Sequence, residues 1–97
     1  GARGVMATPT TCGGAFFVRF WDAFNSGDMK LAEQRYHEII LLDNAMEGGF
    51  CATAKQLCNL QGAKMNWFTR GNHDLSAQKL NQLKAFHNWC VSNELMK

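Results

Sequence analysis

The stretch Gly4-Val5-Met6-Ala7-Thr8-Pro9-Thr10 decides how the chain is read. Val5 to Thr8 form a continuous run of small and apolar residues, the pattern of a short strand buried on both faces. Pro9 then stops regular ladder pairing. Thr10-Thr11-Cys12-Gly13-Gly14 reads as loop, and nothing later in the sequence makes a second strand. A lone strand leaves backbone donors and acceptors open on both edges, which is costly when buried and adhesive when exposed. A doubly buried strand followed at once by a helix belongs in a parallel α/β sheet or barrel. The missing strands are therefore expected outside these 97 residues, and the opening on Gly1 rather than Met reads the same way.

Downstream the pattern is helical. Phe16, Phe17, Phe20, Trp21 and Phe24 fall at helical spacing, and Asn25-Ser26-Gly27 ends the run on a glycine suited to a left-handed cap. Asp28 caps a second, longer helix, with an apolar stripe of Ala32, Tyr36, Ile39, Ile40 and Met46, broken at Gly48-Gly49. A shorter helix spans about Phe50 to Leu60, with Ala54, Leu57 and Cys58 on one side and Gly62 beyond its end. After a loop through Arg70-Gly71-Asn72, Ser76 caps a last helix. Leu75 and Leu80 stand at the positions of a hydrophobic staple, and Leu83, Phe86 and Cys90 continue the apolar face.

Composition narrows the function classes. An apolar share of 46% with seven Phe and three Trp is ample for a core and excludes disorder. A net charge of +2, with ten Lys and Arg scattered singly, does not argue for nucleic acid. The apolar runs Ala15-Phe16-Phe17-Val18 and Ile39-Ile40-Leu41-Leu42 fall far short of the roughly 20 residues of a membrane span. No signal-peptide layout is present at the N-terminus, so a cytoplasmic protein is expected. The four cysteines agree with that expectation, since each lies among apolar neighbours as buried free thiols do. Cys51 and Cys58 are seven apart in a helical pattern, about 10.5 Å along the axis, beyond the reach of a disulfide.

Taken in order, these elements resemble the C-terminal portion of the dihydrodipicolinate synthase/N-acetylneuraminate lyase family. Gly1-Ala2-Arg3-Gly4-Val5-Met6-Ala7 is similar to that family's last barrel strand. Phe24-Asn25-Ser26-Gly27-Asp28 is similar to its Gly-Asp turn, and the helix ending in Ile39-Ile40-Leu41-Leu42 to its first C-terminal helix. The short helix carrying Lys55 and closing on Gly62, then Phe68-Thr69-Arg70 and Asp74-Leu75-Ser76, complete the series. One departure is the absence of the Asn-Pro-x-x-x-Lys stretch usual in dihydrodipicolinate synthases. Gly49-Phe50-Cys51-Ala52-Thr53-Ala54-Lys55 stands there instead, closer to the lyase and sugar-acid branches.

The resemblance implies an α/β fold, a (β/α)8 barrel with extra C-terminal helices. Residues 1–27 would be the last βα unit and residues 28–97 the helical extension. It also implies an oligomeric enzyme that needs no cofactor. A barrel lysine would form a Schiff base with pyruvate or another 2-oxo acid for aldol cleavage, condensation or dehydration. That lysine lies on an earlier strand in the family, so these 97 residues alone are expected to be inactive. Lys30, Lys55, Lys79 and Lys84 sit in helical patterns and Lys64 in a loop, and the one predicted strand carries none. A Schiff-base lysine needs desolvation at a strand's C-terminal end to lower its pKa.

Barrel active sites sit at the C-terminal ends of the strands, which here means Met6, Ala7, Thr8 and the loop Pro9-Thr10-Thr11. Met6 and Thr8 are accordingly the candidate substrate-binding residues, Met6 near the Schiff base and Thr8 through its hydroxyl. The plainer alternatives are barrel filling for Met6 and a local hydrogen bond for Thr8. No metal is expected: His73-Asp74 lacks a third ligand by spacing, and Cys51 with Cys58 lacks the Cys-x-x-Cys interval. His37 and His87 read as partly exposed helix residues, Tyr36 as core, and Gly13-Gly14 as a strand-to-helix turn. The remainder of the barrel and a 2-oxo acid are the expected partners. A helical interaction module, docking through its Phe and Trp faces without enzymatic activity, is the second reading.

Overall fold

The computed structural model describes residues 3–4, 6–47, 50–66 and 75–96, with four helices among them. These are α1 (Thr10–Asn25), α2 (Met29–Ala45), α3 (Phe50–Leu60) and α4 (Ala77–Ser92). The helical part of the expected fold is therefore observed. The strand is not. Among the described residues Gly4, Met6 and Ala7 are irregular, Thr8-Pro9 turns, and α1 already begins at Thr10. The reason lies in hydrogen-bond supply. With no ladder partner among the described residues, the segment satisfies its polar groups locally: Thr10 N–H donates to Ala7 O (3.1 Å) and Thr11 N–H to Thr8 O (3.2 Å). The Thr10 and Thr11 hydroxyls donate to the same two carbonyls, at 2.5 and 3.0 Å. Pro9, lacking an N–H, sits where a helix start needs none.

The expected loop Thr10–Gly14 is also corrected to helix. It carries a kink at Gly13 (φ −135°, ψ 44°) that leaves two helical pieces in series. A Cβ at Gly13 would lie 2.5 Å from Leu42 Cδ2, and Leu42 is fully buried, so glycine permits this close approach. The other helix ends follow the sequence closely. Asp28 accepts from Leu31 N–H at 3.0 Å and Ser76 from Lys79 N–H at 3.1 Å, each side chain capping a free helix donor. Gly27 (φ 84°) and Gly62 (φ 109°) adopt the left-handed conformation that closes α1 and α3. The expected break at Gly48-Gly49 and the loop through residues 67–74, including His73-Asp74, lie outside the described residues.

α1 packs chiefly on α2 and α3 on α4, while α1 also meets α3 and α2 meets α4. Phe16, Leu42, Leu57, Leu83 and Cys90 are fully buried at the centre, joined by Cys12, Met46, Ala54, Leu95 and Met96. The α2 stripe is shifted from the expected one. Leu42 is its fully buried residue, whereas Tyr36 and Ile40 are exposed. Cross-helix polar bonds join the elements: Thr53 Oγ1 donates to Met46 O (2.9 Å), and Arg19 donates to Asn93 O (2.9 Å) at the end of α4. The domain boundary expected at residue 27 falls in the turn between the two most closely packed helices, so α1 and the extension are in continuous contact here. No described helix is long and apolar enough to cross a membrane.

Candidate functional site

The sequence singled out the segment before α1, and the structure brings part of it to one place. Met6, Ala7, Thr8 and Thr10 line a shallow depression of about 360 Å³. Met6 is fully exposed and Thr8 exposed, and the Thr8 carbonyl is occupied as acceptor for Thr11. Ala7 and Thr8 carbonyls are thereby spent on the helix start, leaving the Met6 side chain as the apolar contribution to this surface. None of the described lysines enters it: Lys30, Lys64 and Lys84 are exposed, while Lys55 and Lys79 are half-buried on α3 and α4.

Tyr36, expected in the core, is about half exposed and stacks obliquely on Phe20 with ring centroids 6.5 Å apart. It belongs to an aromatic group at the α1–α2 end of the molecule. Phe20 stacks on Phe24 (6.1 Å) and Trp21 on Phe24 (6.5 Å), with Trp21, Phe24 and Val18 all exposed. His37, on α2, is exposed and 3.9 Å from Glu33, the i,i+4 arrangement of a solvated helix face. His87 is half-buried on α4, in line with its expected partial exposure.

Sequence reasoning passed over a second place, the sulfur-rich junction of α1, α2 and α3. All four cysteines are free thiols. Cys51 is exposed, contrary to the expectation that all four are buried, because it lies on the outer side of α3 while Ala52, Thr53 and Ala54 turn inward. Cys12 is buried directly before the Gly13 kink, and its Sγ lies 3.7 Å from the Met46 Sδ at the end of α2. Cys58 approaches from α3, its Sγ 3.9 Å from the carbonyl of Thr11. Gln61 closes the arrangement, donating to both Cys12 O (3.0 Å) and Leu57 O (3.1 Å). Thr11, Cys12, Cys58, Gln61 and Ala63 line a depression of about 250 Å³.

Burial disfavours the thiolates. It pushes Cys12 up to about 11, with further opposition from Cys58, and raises Cys58 as well. Cys90, beneath the same junction, is held at about 12 by burial first, then by Cys12 and Glu38. Glu38 accepts an ion pair from Arg35 at 2.6 Å, while its second oxygen is buried without a hydrogen-bond partner. The clue available in sequence was the recurrence of Cys12, Met46 and Cys58 on inward-facing positions; their wide separation concealed it. Compared with protein-family models, with curated proteins and with solved structures, the chain shows no match.

Proposed function

We propose that the chain is the C-terminal portion of a Schiff-base lyase of the dihydrodipicolinate synthase/N-acetylneuraminate lyase type, acting on pyruvate or another 2-oxo acid. The observation that carries the proposal is the surface left uncovered beside the N-terminal segment. Val18, Trp21 and Phe24 are all exposed on the helix that directly follows Met6, itself fully exposed. Exposed aromatics gathered on one helix face suit a surface made to be covered. A neighbouring βα unit of a barrel would cover it, and the strand-like Val5-Met6-Ala7-Thr8 would pair with the strands beside it. A radius of gyration of 14.2 Å, against about 13 Å expected for a self-contained domain of this length, agrees with an open arrangement.

In this reading the residues shown have supporting roles. Met6 and Thr8 line the wall of the pocket, and α1 to α4 buttress the last strand. The nucleophilic lysine belongs to the preceding barrel, with the lyase working in the cytoplasm as a homo-oligomer. The second reading, a helical module that docks on another protein, draws on the same Trp21, Phe24 and Tyr36 surface.

Borohydride reduction of the natural gene product in the presence of pyruvate separates the two readings. The lyase reading expects one reduced pyruvate adduct on a lysine outside these 97 residues. An untrapped protein, or an adduct on Lys55 or another lysine of this chain, would overturn it.

A further inference from the structure

The sulfur junction offers chemistry that the lyase reading does not use. The Cys12 thiol of α1 lies 3.7 Å from the thioether of Met46, just beyond α2, and shares a depression with the Cys58 thiol of α3. Among the described residues no three His, Cys, Asp or Glu side chains gather as a metal set. Zinc sites typically draw on N, O and thiolate donors. Thiolate with thioether is instead the donor set that selects a soft monovalent ion.

We propose that Cys12, Cys58 and Met46 form a binding site for Cu(I). Taking a metal–sulfur distance near 2.3 Å, the 3.7 Å between Cys12 Sγ and Met46 Sδ subtends an angle of about 107° at the ion, close to tetrahedral. Cys58 lines the same depression as Cys12, its Sγ 3.9 Å from the carbonyl of Thr11. That depression, closed by Gln61 and open to solvent beside Thr11 and Ala63, is the entry path. The flexible thioether of Met46 turns to complete the set, a side chain with three rotatable bonds and a polarisable sulfur.

Binding exchanges protons for the metal: two Cys S–H bonds break, two Cu–S bonds form, and two protons leave to solvent with no change of oxidation state. Selectivity comes from the donors, since thiol and thioether sulfur favour a soft ion over a hard one.

The test titrates the 97-residue chain anaerobically with Cu(I) held by a colorimetric chelator, and in parallel with Ag(I) as a redox-inert stand-in. One ion per chain, accompanied by a rise in melting temperature, is expected. Met46→Leu preserves side-chain volume and hence the fold. Its affinity should drop on the order of tenfold or more, the scale of a lost contact at a metal site. Cys58→Ser, at a half-buried position, should abolish the stoichiometric site, and Cys51→Ser, on the outer face of α3, should leave it intact. Unchanged affinity in Met46→Leu would overturn the proposal, as would loss of binding on Cys51→Ser. Stoichiometry that simply follows the number of free thiols would do the same.

Discussion

Both halves of α1 carry apolar side chains, and they are covered to different degrees. Between Cys12 and Phe16 the helix buries Cys12, Gly13 and Phe16, kinks at Gly13 against Leu42, and stacks through Phe16 on Phe86 at 6.2 Å. From Val18 to Phe24 it carries Trp21 and Phe24, which stack on each other yet stay exposed. Helical periodicity runs through Phe16, Phe20, Trp21 and Phe24 without distinction, because it reports that a face is apolar and not what covers it. The difference teaches that the described residues cover the first half more completely than the second. The first half is where stability resides, and the second is where an outside surface would act.

The largest effect that would break this comparison is in the packed half. Leu42→Ala should destabilise the chain by about 2–5 kcal/mol, because Leu42 is fully buried against Gly13 and Phe16. Urea denaturation would show the midpoint fall with little change in slope. Gly13→Ala follows, at about 1–3 kcal/mol, since the new methyl meets the fully buried Leu42 side chain, which must shift. Made together, the two substitutions should cost less than their sum, because shortening Leu42 vacates the space the methyl needs. Strict additivity would place the strain of Gly13→Ala elsewhere.

A pH series sharpens the same point. Burial holds Cys12 and Cys90 at about 11 and about 12, above their ordinary 9.0, so the native state keeps protons that the unfolded chain releases. Stability is therefore full below pH 9.0 and declines as pH rises toward 11–12. The urea midpoint of the parent should fall between about pH 8 and about pH 10.5 more steeply than that of Cys90→Ala. Equal slopes would mean that Cys90 is not held protonated by the core. The smallest effect belongs to the exposed half: Trp21→Ser should change the stability of the 97-residue chain by less than about 0.5 kcal/mol. It should also reduce self-association, measured by light scattering.

How much of this was legible varied with the range of the interaction. Caps are local, and Asp28, Ser76, Gly27 and Gly62 announce their helix ends by residue type alone. The α3 boundaries, Phe50 and Leu60, were equally readable. The segment Gly4–Thr10 was misread because strand formation depends on a neighbour, and in this chain the threonine hydroxyls offered the backbone a nearer alternative. Leu42 could not be separated from Ile40 and Leu41 by apolar character, since only the Gly13 approach selects it. The end of α4 was missed too. Glu94 turns left-handed (φ 60°) so that Leu95 N–H reaches Cys90 O at 2.8 Å, folding Leu95 and Met96 into the core. Of the candidate sites, Met6 and Thr8 share one surface, whereas Cys12, Met46 and Cys58, far apart in sequence, come together only through the packing of the helices.

Hydroxyl-radical footprinting of α1 tests the central contrast most directly, comparing the natural gene product with the separate 97-residue chain. Phe16 should be protected in both, as a residue with no exposed surface. Trp21 and Phe24 should be oxidised readily in the separate chain, and the proposed barrel, if it covers them, should protect them in the natural product. Equal oxidation of Trp21 in the two would contradict the account, leaving the aromatic half of α1 a solvent-facing surface with nothing of its own protein to meet.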